Sequence, residues 1–447
     1  MRITLLGHAT LLVEADGANL VMDPVFYDPF EASLTLSCPR RKVNVSEFPR
    51  LDAVLLSHGH ADHFDQRSMM DLPRDLTVYL PHDPELATKL SAEGFSKLKV
   101  LKPKSPFQIG NTRLLPTGSR DDDEVGIVFS DGSGSAWNQV DTATNHDMAS
   151  DVATFLGNKL DVVFCPFNPL LEWAETWVSE EDFPEERYQR LLEAAIASHA
   201  HTIVPGSSGQ RMNDELEWMN HRCFPVSREQ FLADLGDVAP ELRGLIVNPG
   251  DGVQINHGDI TLQQTPYAQT LAEDTHRLIF DPGSNPPPPL IDTNPKQYDT
   301  HWMREKIQAL MSEGLTKQIN SSLNPNLKGP LRTLWDRRAI FQIEFVFPQG
   351  EEIWHVKQWH PHFELLHHAH PDPDYRFRYI ASEVTGYING DLTLEQCNNL
   401  RAYRRKGHSR KADGTFRLSS LDPGRLFGED LYNVVDATFI WHPLNLF

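Results

Sequence analysis

Along the first 250 positions, apolar residues come in short runs, most of them closed by Asp, Gly or Pro. That pattern predicts brief buried strands more than long helices. The runs "RITLLGHATLLVEA" (2–15) and "ANLVMDP" (18–24) predict the two strands of a hairpin, turning at Asp16-Gly17. "LDAVLLS" (51–57), "LTVYLP" (76–81), "KVLKP" (99–103) and "TRLLPT" (112–117) predict four more strands. "EVGIVFSDG" (124–132) and "SAWNQVD" (135–141) predict a second hairpin at Asp131-Gly132.

From there the period changes. Residues 147–159 read as a helix, "LDVVFCP" (160–166) as a buried strand, and "FPEERYQRLLEAAIASHA" (183–200) as an amphipathic helix. The last has acids in its first turn and Tyr188, Leu191, Leu192, Ala195 and Ile196 at helical spacing. "HTIVPGSSG" (201–209) then predicts a strand running into a glycine-rich loop. Hairpins followed by alternating strands and helices predict an α/β or α+β sandwich with helices covering sheets.

Residues 265–298 break the pattern with "DPGSNPPPPLIDTNPKQ" and are read as a proline-rich linker. Residues 299–447 are read as a C-terminal α+β region, an accessory domain expected to cover the site of the first. It opens on helix-like "HWMREKIQALMSEGL" (301–315) and continues through strand-like "AIFQIEFVFP" (339–348). The metal-binding, catalytic domain is placed at residues 1–264.

Composition narrows the function. The chain has 447 residues and a formal net charge of -21, which opposes an electrostatic grip on nucleic acid or on an anionic membrane. No apolar run approaches the roughly 20 residues that span a bilayer, and the N-terminus reads as a strand, not a signal peptide. Four scattered cysteines, Cys38, Cys165, Cys223 and Cys397, suit a reducing cytoplasm and offer no zinc-binding pair. A cytoplasmic protein acting on a small molecule is expected.

Chemistry concentrates in "LSHGHADHFDQ" (56–66), where His58, His60, Asp62 and His63 put four donors into six residues at the tip of a buried strand. Residues two apart on an extended loop point the same way, so His58 and His60 can share one ion, while Asp62 and His63 can face a second. Neutral imidazole and carboxylate suit zinc, iron and manganese.

"HGHADH" resembles the H-x-H-x-D-H signature of the metallo-β-lactamase superfamily, and "LLGHATLLVEADGANLVMDP" resembles the first hairpin of its lactonase-like branch. The resemblance covers about residues 1–250 and implies an αββα sandwich with two metal ions. It implies a bridging aspartate at Asp141, here without the usual preceding glycine and with Asn138 three residues before it. It also implies a third histidine between residues 110 and 126, where the chain has none and offers Asp121, Asp122, Asp123 and Glu124. Asp122 or Glu124 is expected to take that place. The final histidine of the family falls where this chain reads "TIVPGSSGQRM", with Ser207 and Ser208.

His8 is read as touching the cluster or the substrate, or as a buried and satisfied histidine. Asp23 is read as a partner that orients a ligating histidine. His355, His360, His362, His367, His368 and His370 form a second histidine-rich run that either reaches back to the site or packs as a face of its own. Loss of two histidines and gain of an acid resemble the oxygenase branch of the superfamily, with CMP-N-acetylneuraminate hydroxylase and diiron hydroxylases of natural-product pathways. The expectation is a diiron monooxygenase with Asp62 and Asp141 at the reacting centre, favouring iron over zinc. It would use dioxygen and an external reductant, with an electron-donor protein as a possible partner. The alternative is a two-zinc hydrolase of a phosphodiester, lactone or amide.

Overall fold

A computed structural model gives the architecture of the chain. It describes residues 1–31, 35–119, 124–142, 144–157, 159–169, 183–273, 278–285, 289–315, 340–359, 362–371, 373, 375–392 and 397. Two compact units emerge, one of Met1–Leu171 with Asp182–Asn285, the other of Glu172–Glu181 with Pro286–Phe447.

The first unit is built on two sheets. In the eight-stranded sheet, β1 (Arg2–Gly7), β2 (Thr10–Ala15) and β3 (Ala18–Met22) run antiparallel in the middle. Ala53–Leu55, Thr77–Leu80 and Lys97–Val100 extend it in parallel on one side, and Asp251–Asn256 and Asp259–Gln264 extend it on the other. The seven-stranded sheet runs from the antiparallel strands Phe107–Ile109, Thr112–Thr117, Gly126–Asp131 and Gly134–Asn138 into the parallel strands Val162–Cys165, Thr202–Pro205 and Arg243–Gly244.

The alternation of side chains across a strand sorts the apolar residues into layers. Leu5, Leu11, Val13, Leu20, Met22 and Leu55 of the first sheet meet Leu114, Ile127, Phe129, Val162, Phe164 and Val204 of the second in a core between the sheets. Their neighbours Leu6, Leu12, Val21, Val54 and Leu56 face outward and are covered by Met69, Leu86 and Leu90 from helices Gln66–Met70 and Pro84–Ala92. Val128, Trp137, Val163 and Ile203 face outward from the second sheet beneath helices His146–Leu156, Glu185–Ala197 and Arg228–Val238. Helix, sheet, sheet, helix is the αββα layering of the metallo-β-lactamase fold. Because both faces of both sheets are covered, the central strands read as continuous apolar runs.

Two departures from the pattern-based reading have local causes. "RITLLGHATLLVEA" is two strands, not one, because the chain reverses through His8-Ala9 between β1 and β2. Gly7 sits at φ 125 and His8 at φ 48. A Cβ on Gly7 would fall 2.2 Å from Arg41 Cδ, so this turn needs glycine. Residues 265–285, read from their prolines as the start of the linker, lie in the first unit, where Ala268–Ala272 pairs antiparallel with Arg40–Val43.

The second unit carries a four-stranded sheet in the order His362–Leu366, Glu351–Trp359, Ile340–Val346, Tyr375–Ile380, with the last two strands parallel. Helix Thr300–Ala309 runs on into a π-helical turn at Leu310–Leu315, and helix Ala381–Ile388 follows the last strand. Among the described residues, no helix is long and apolar enough to cross a membrane.

Candidate metal centre

The site lies where strand Ala53–Leu55 ends and the chain turns toward helix Gln66–Met70. Val54 and Leu55 are held in the parallel ladder, so the residues that follow leave the sheet in a defined direction. Backbone bonds from His63 and Phe64 to the His60 carbonyl close a tight turn, and Asp65 caps the helix by accepting from the Ser68 amide. His58 and His63 are thereby buried, while His60 is exposed.

Asp23 fixes the two buried rings. It is fully buried, and its amide donates to the Leu55 carbonyl at 2.9 Å, which ties the end of β3 to the strand that delivers the histidines. One carboxylate oxygen accepts from the Ser57 amide at 2.7 Å. The other accepts from the Ser57 hydroxyl at 2.6 Å and lies 3.0 Å from His63 Nδ1. Ser57 Oγ is in turn 2.9 Å from His58 Nδ1. One acid therefore orients His63 directly and His58 through a serine, leaving both Nε2 atoms aimed into the site.

Asp141 arrives from the second sheet, at the end of strand Gly134–Asn138. Asn138 does not face the cluster: its Oδ1 accepts from the Val140 amide at 3.2 Å and its Nδ2 contacts Met22 Sδ. Val140 takes φ 57, and Ser207, which stands where the family's final histidine was expected, donates its hydroxyl to the Val140 carbonyl. Together they aim Asp141 back at the histidines. Its Oδ2 lies 3.2 Å from His63 Nε2 and 3.7 Å from His58 Nε2, with the side chain 38% exposed. Asp62 Oδ2 lies 3.5 Å from His63 Nε2 and 3.2 Å from His8 Nε2.

Three overlapping groups bring one ligand atom per residue within 4.8 Å of one another: His58, His60 and Asp62; His58, His63 and Asp141; His8, Asp62 and His63. The electrostatics fit a cation. Burial lowers the His58 pKa to about 3, reinforced by His63, so His58 is a neutral ligand at neutral pH. Burial opposes charge on His63 as well, but Asp141, Asp62 and Asp23 outweigh it and raise its pKa well above the ordinary value. Burial pushes Asp62 and Asp141 up, and the facing histidines more than reverse it, holding Asp62 well below its usual range and Asp141 at about 2. Two carboxylates thus converge on one imidazole. Yet His63 Nε2 is buried without a hydrogen-bond partner, as are both ring nitrogens of His8. Imidazole nitrogens and carboxylate oxygens that face one another in overlapping groups are arranged as ligands, and the residues present fit two divalent metal ions.

Glu124 stands beside this cluster but in none of the three groups. The Val125 amide bonds to the Ser57 carbonyl, bringing Glu124 next to the loop. Its carboxyl accepts from Ser119 and Thr142 at 3.0 and 2.8 Å, and burial, with Asp141 adding to it, raises its pKa. Asp121, Asp122 and Asp123 lie outside the described residues, as does His360. Ser57, Ser119 and Thr142 escaped the sequence reading, and Ser207 was noted only as standing in the place of a histidine. Only Ser57 had a signal, a hydroxyl immediately before the first ligand.

Residues 2–168 match the family model of the β-lactamase superfamily domain. A metal-dependent hydrolase of Bacillus cereus (strain B4264) is 28% identical over 274 residues, spanning 57% of this chain and 100% of its own length. Among solved structures, isothiocyanate hydrolase from Delia radicum gut bacteria is 20% identical, with a TM-score of 0.41, over 57% of this chain and 100% of that one. CmlA, a diiron β-hydroxylase from Streptomyces venezuelae, is 17% identical, with a TM-score of 0.36, over 46% of this chain and 45% of that one. Neither structural likeness is close enough to bear on the reaction. The chain has the metallo-β-lactamase fold with a His/Asp metal-binding cluster, and curated relatives that it matches along their whole length are named metal-dependent hydrolases.

Proposed function

We propose that the protein is a two-metal hydrolase of a small lactone, amide or phosphodiester. The observation that carries this reading is the convergence of His58, His60, His63, Asp62 and Asp141 in overlapping groups, with carboxylate oxygens of Asp62 and Asp141 facing the Nε2 atoms of His58 and His63 at 3.2–3.7 Å. Its likeness in sequence to metal-dependent hydrolases supports the same reaction class. A pair of such cations, when bound, lowers the pKa of coordinated water and stabilises negative charge on the reacting group.

The side chains divide the remaining work. His58 and His60 would hold one cation and Asp62 and His63 the other, with Asp141 facing His58 and His63 beside them. Asp141 is part-exposed and anionic, so its free lone pairs can accept a hydrogen bond from the attacking water and orient it. Glu124 is the carboxyl beside Asp141 whose raised pKa suits it to carry a proton toward the leaving group. The net charge of -21 disfavours polyanionic substrates.

Diiron oxygen chemistry is the second reading, and the half-buried Glu124 is the observation that favours it, because a carboxylate in place of histidine suits iron. Against it, Glu124 is held by two hydroxyls outside all three ligand groups. One experiment separates the two. Protein from rich medium is assayed for zinc and iron, then for chelator-reversible turnover of a lactone, an anilide and bis(para-nitrophenyl) phosphate. Zinc with hydrolysis is expected. Stoichiometric iron, with oxygen consumed under reduction and no hydrolysis, would overturn the hydrolase in favour of the oxygenase.

A further inference from the structure

The ion held by Asp62 and His63 lacks the histidine that the loop after strand Thr202–Pro205 was expected to supply. Ser207 there is engaged with the Val140 carbonyl, and the loop passes so close to the β1–β2 turn that a Cβ on Gly209 would come 3.5 Å from His8 Cα. We infer that His8 supplies the missing imidazole, its Nε2 joining Asp62 and His63 around the second cation. The inference rests on the two-metal reading above.

Four observations carry it. His8 Nε2 is 3.2 Å from Asp62 Oδ2, and the ligand atoms of His8, Asp62 and His63 lie within 4.8 Å of one another. Its ring meets that of His63 edge-on at 5.1 Å between centroids, with Phe30 on another side at 5.9 Å, so the imidazole cannot turn freely. Its side chain is 1% exposed, too buried to touch an arriving substrate. Both ring nitrogens are buried without a well-formed hydrogen bond, so neither anchors the ring as Nδ1 anchors His355, and the one polar group that Nε2 faces is the carboxylate of Asp62. The backbone agrees: a non-glycine residue at φ 48 in a two-residue turn is held there against its own preference, and such strain collects at functional positions. Gly7 and the buried Arg41, which donates to the Leu6 and Val25 carbonyls, hold the turn in place.

The test counts ions on the full-length chain. Metal-free wild type is titrated with cobalt(II), and bound ions are measured by mass spectrometry of the metal after gel filtration. Two ions per chain are expected for wild type. His8→Ala and His8→Gln should keep one and lose at least a hundredfold in affinity for the other. His8→Cys gives a readout independent of any loss of fold, since a thiolate bound to cobalt(II) adds a charge-transfer band in the near ultraviolet. That band should grow with the second equivalent and be absent from wild type, whose described cysteines are buried and belong to none of the ligand groups. Two tightly bound ions in His8→Gln, or no such band in His8→Cys, would overturn the role of His8 while leaving the two-metal reading intact. A wild type that takes up fewer than two ions would overturn both.

Discussion

Two stretches of this chain are rich in histidine, residues 58–63 and 355–370, and they are organised in opposite ways. In the first, buried rings face Asp23, Asp62 and Asp141, so each imidazole has an acid to orient it or share an ion with it. In the second, His355 is buried on strand Glu351–Trp359 with Nδ1 at 2.6 Å from the His368 carbonyl, and His367 lies flat on Trp354 at 3.9 Å between centroids. Burial lowers the pKa of His355, its bond to the His368 carbonyl opposes that shift, and the side chains that act on it are His368, His370 and Lys357, with no carboxylate among them. All the ligand groups found among the described residues lie in the first stretch and its partners. Histidine density alone is therefore a poor guide to metal; what decides is carboxylates and imidazoles meeting in one group, which Glu352 beside His367 does not make among the described residues.

The largest effect should come from His58→Ala or His60→Ala, which removes a ligand outright. Each should lose metal and activity together while circular dichroism and melting show a folded chain, since the sheets bury their own core. Retention of the full metal complement would break the contrast between the two stretches. Asp141→Asn comes next, weakening both ions because it removes the anion that lets two cations sit side by side. Titration of the variant showing both affinities unchanged would reduce Asp141 to a capping residue.

Asp23→Asn leaves every ligand in place and removes only their orientation. A loss of about 10–100-fold in metal affinity is expected, measured by competition with a chromophoric chelator. Acidity should act in the same direction. His63 has a raised pKa, so an incoming ion must displace its proton, and below that pKa affinity should fall about tenfold per pH unit for one displaced proton. A flat pH dependence of loading would show that His63 is already neutral. The smallest effect on metal belongs to His355→Ala. It should leave ion count and affinity unchanged while costing stability, about 2–4 kcal/mol for a fully buried ring with one hydrogen bond, read by denaturant unfolding. Loss of metal from that variant would mean the second stretch also serves the centre.

How much of this was legible in the sequence follows from how local each determinant is. The ligand loop was readable because four donors stand within one turn, and the layered fold because each strand carries its own apolar run. His8 was harder to place, since "RITLLGHATLLVEA" reads as one unbroken strand and only Gly7 marks the reversal. The role of Ser207 depends on a contact across 67 positions, which no local pattern encodes. Glu124 was picked out as an acid near the site, but its hydroxyl partners Ser119 and Thr142 come from two different loops.

The anchoring of two histidines by Asp23 has a thermodynamic consequence. The bonds from Asp23 to Ser57 and His63 exist before any ion arrives, and the Leu55 carbonyl pins the same residue from behind. Loading the site then orders almost nothing and buries almost no apolar surface. Calorimetry of ion uptake should accordingly show a heat-capacity change close to zero, and the enthalpy should vary little with temperature once buffer ionisation is subtracted.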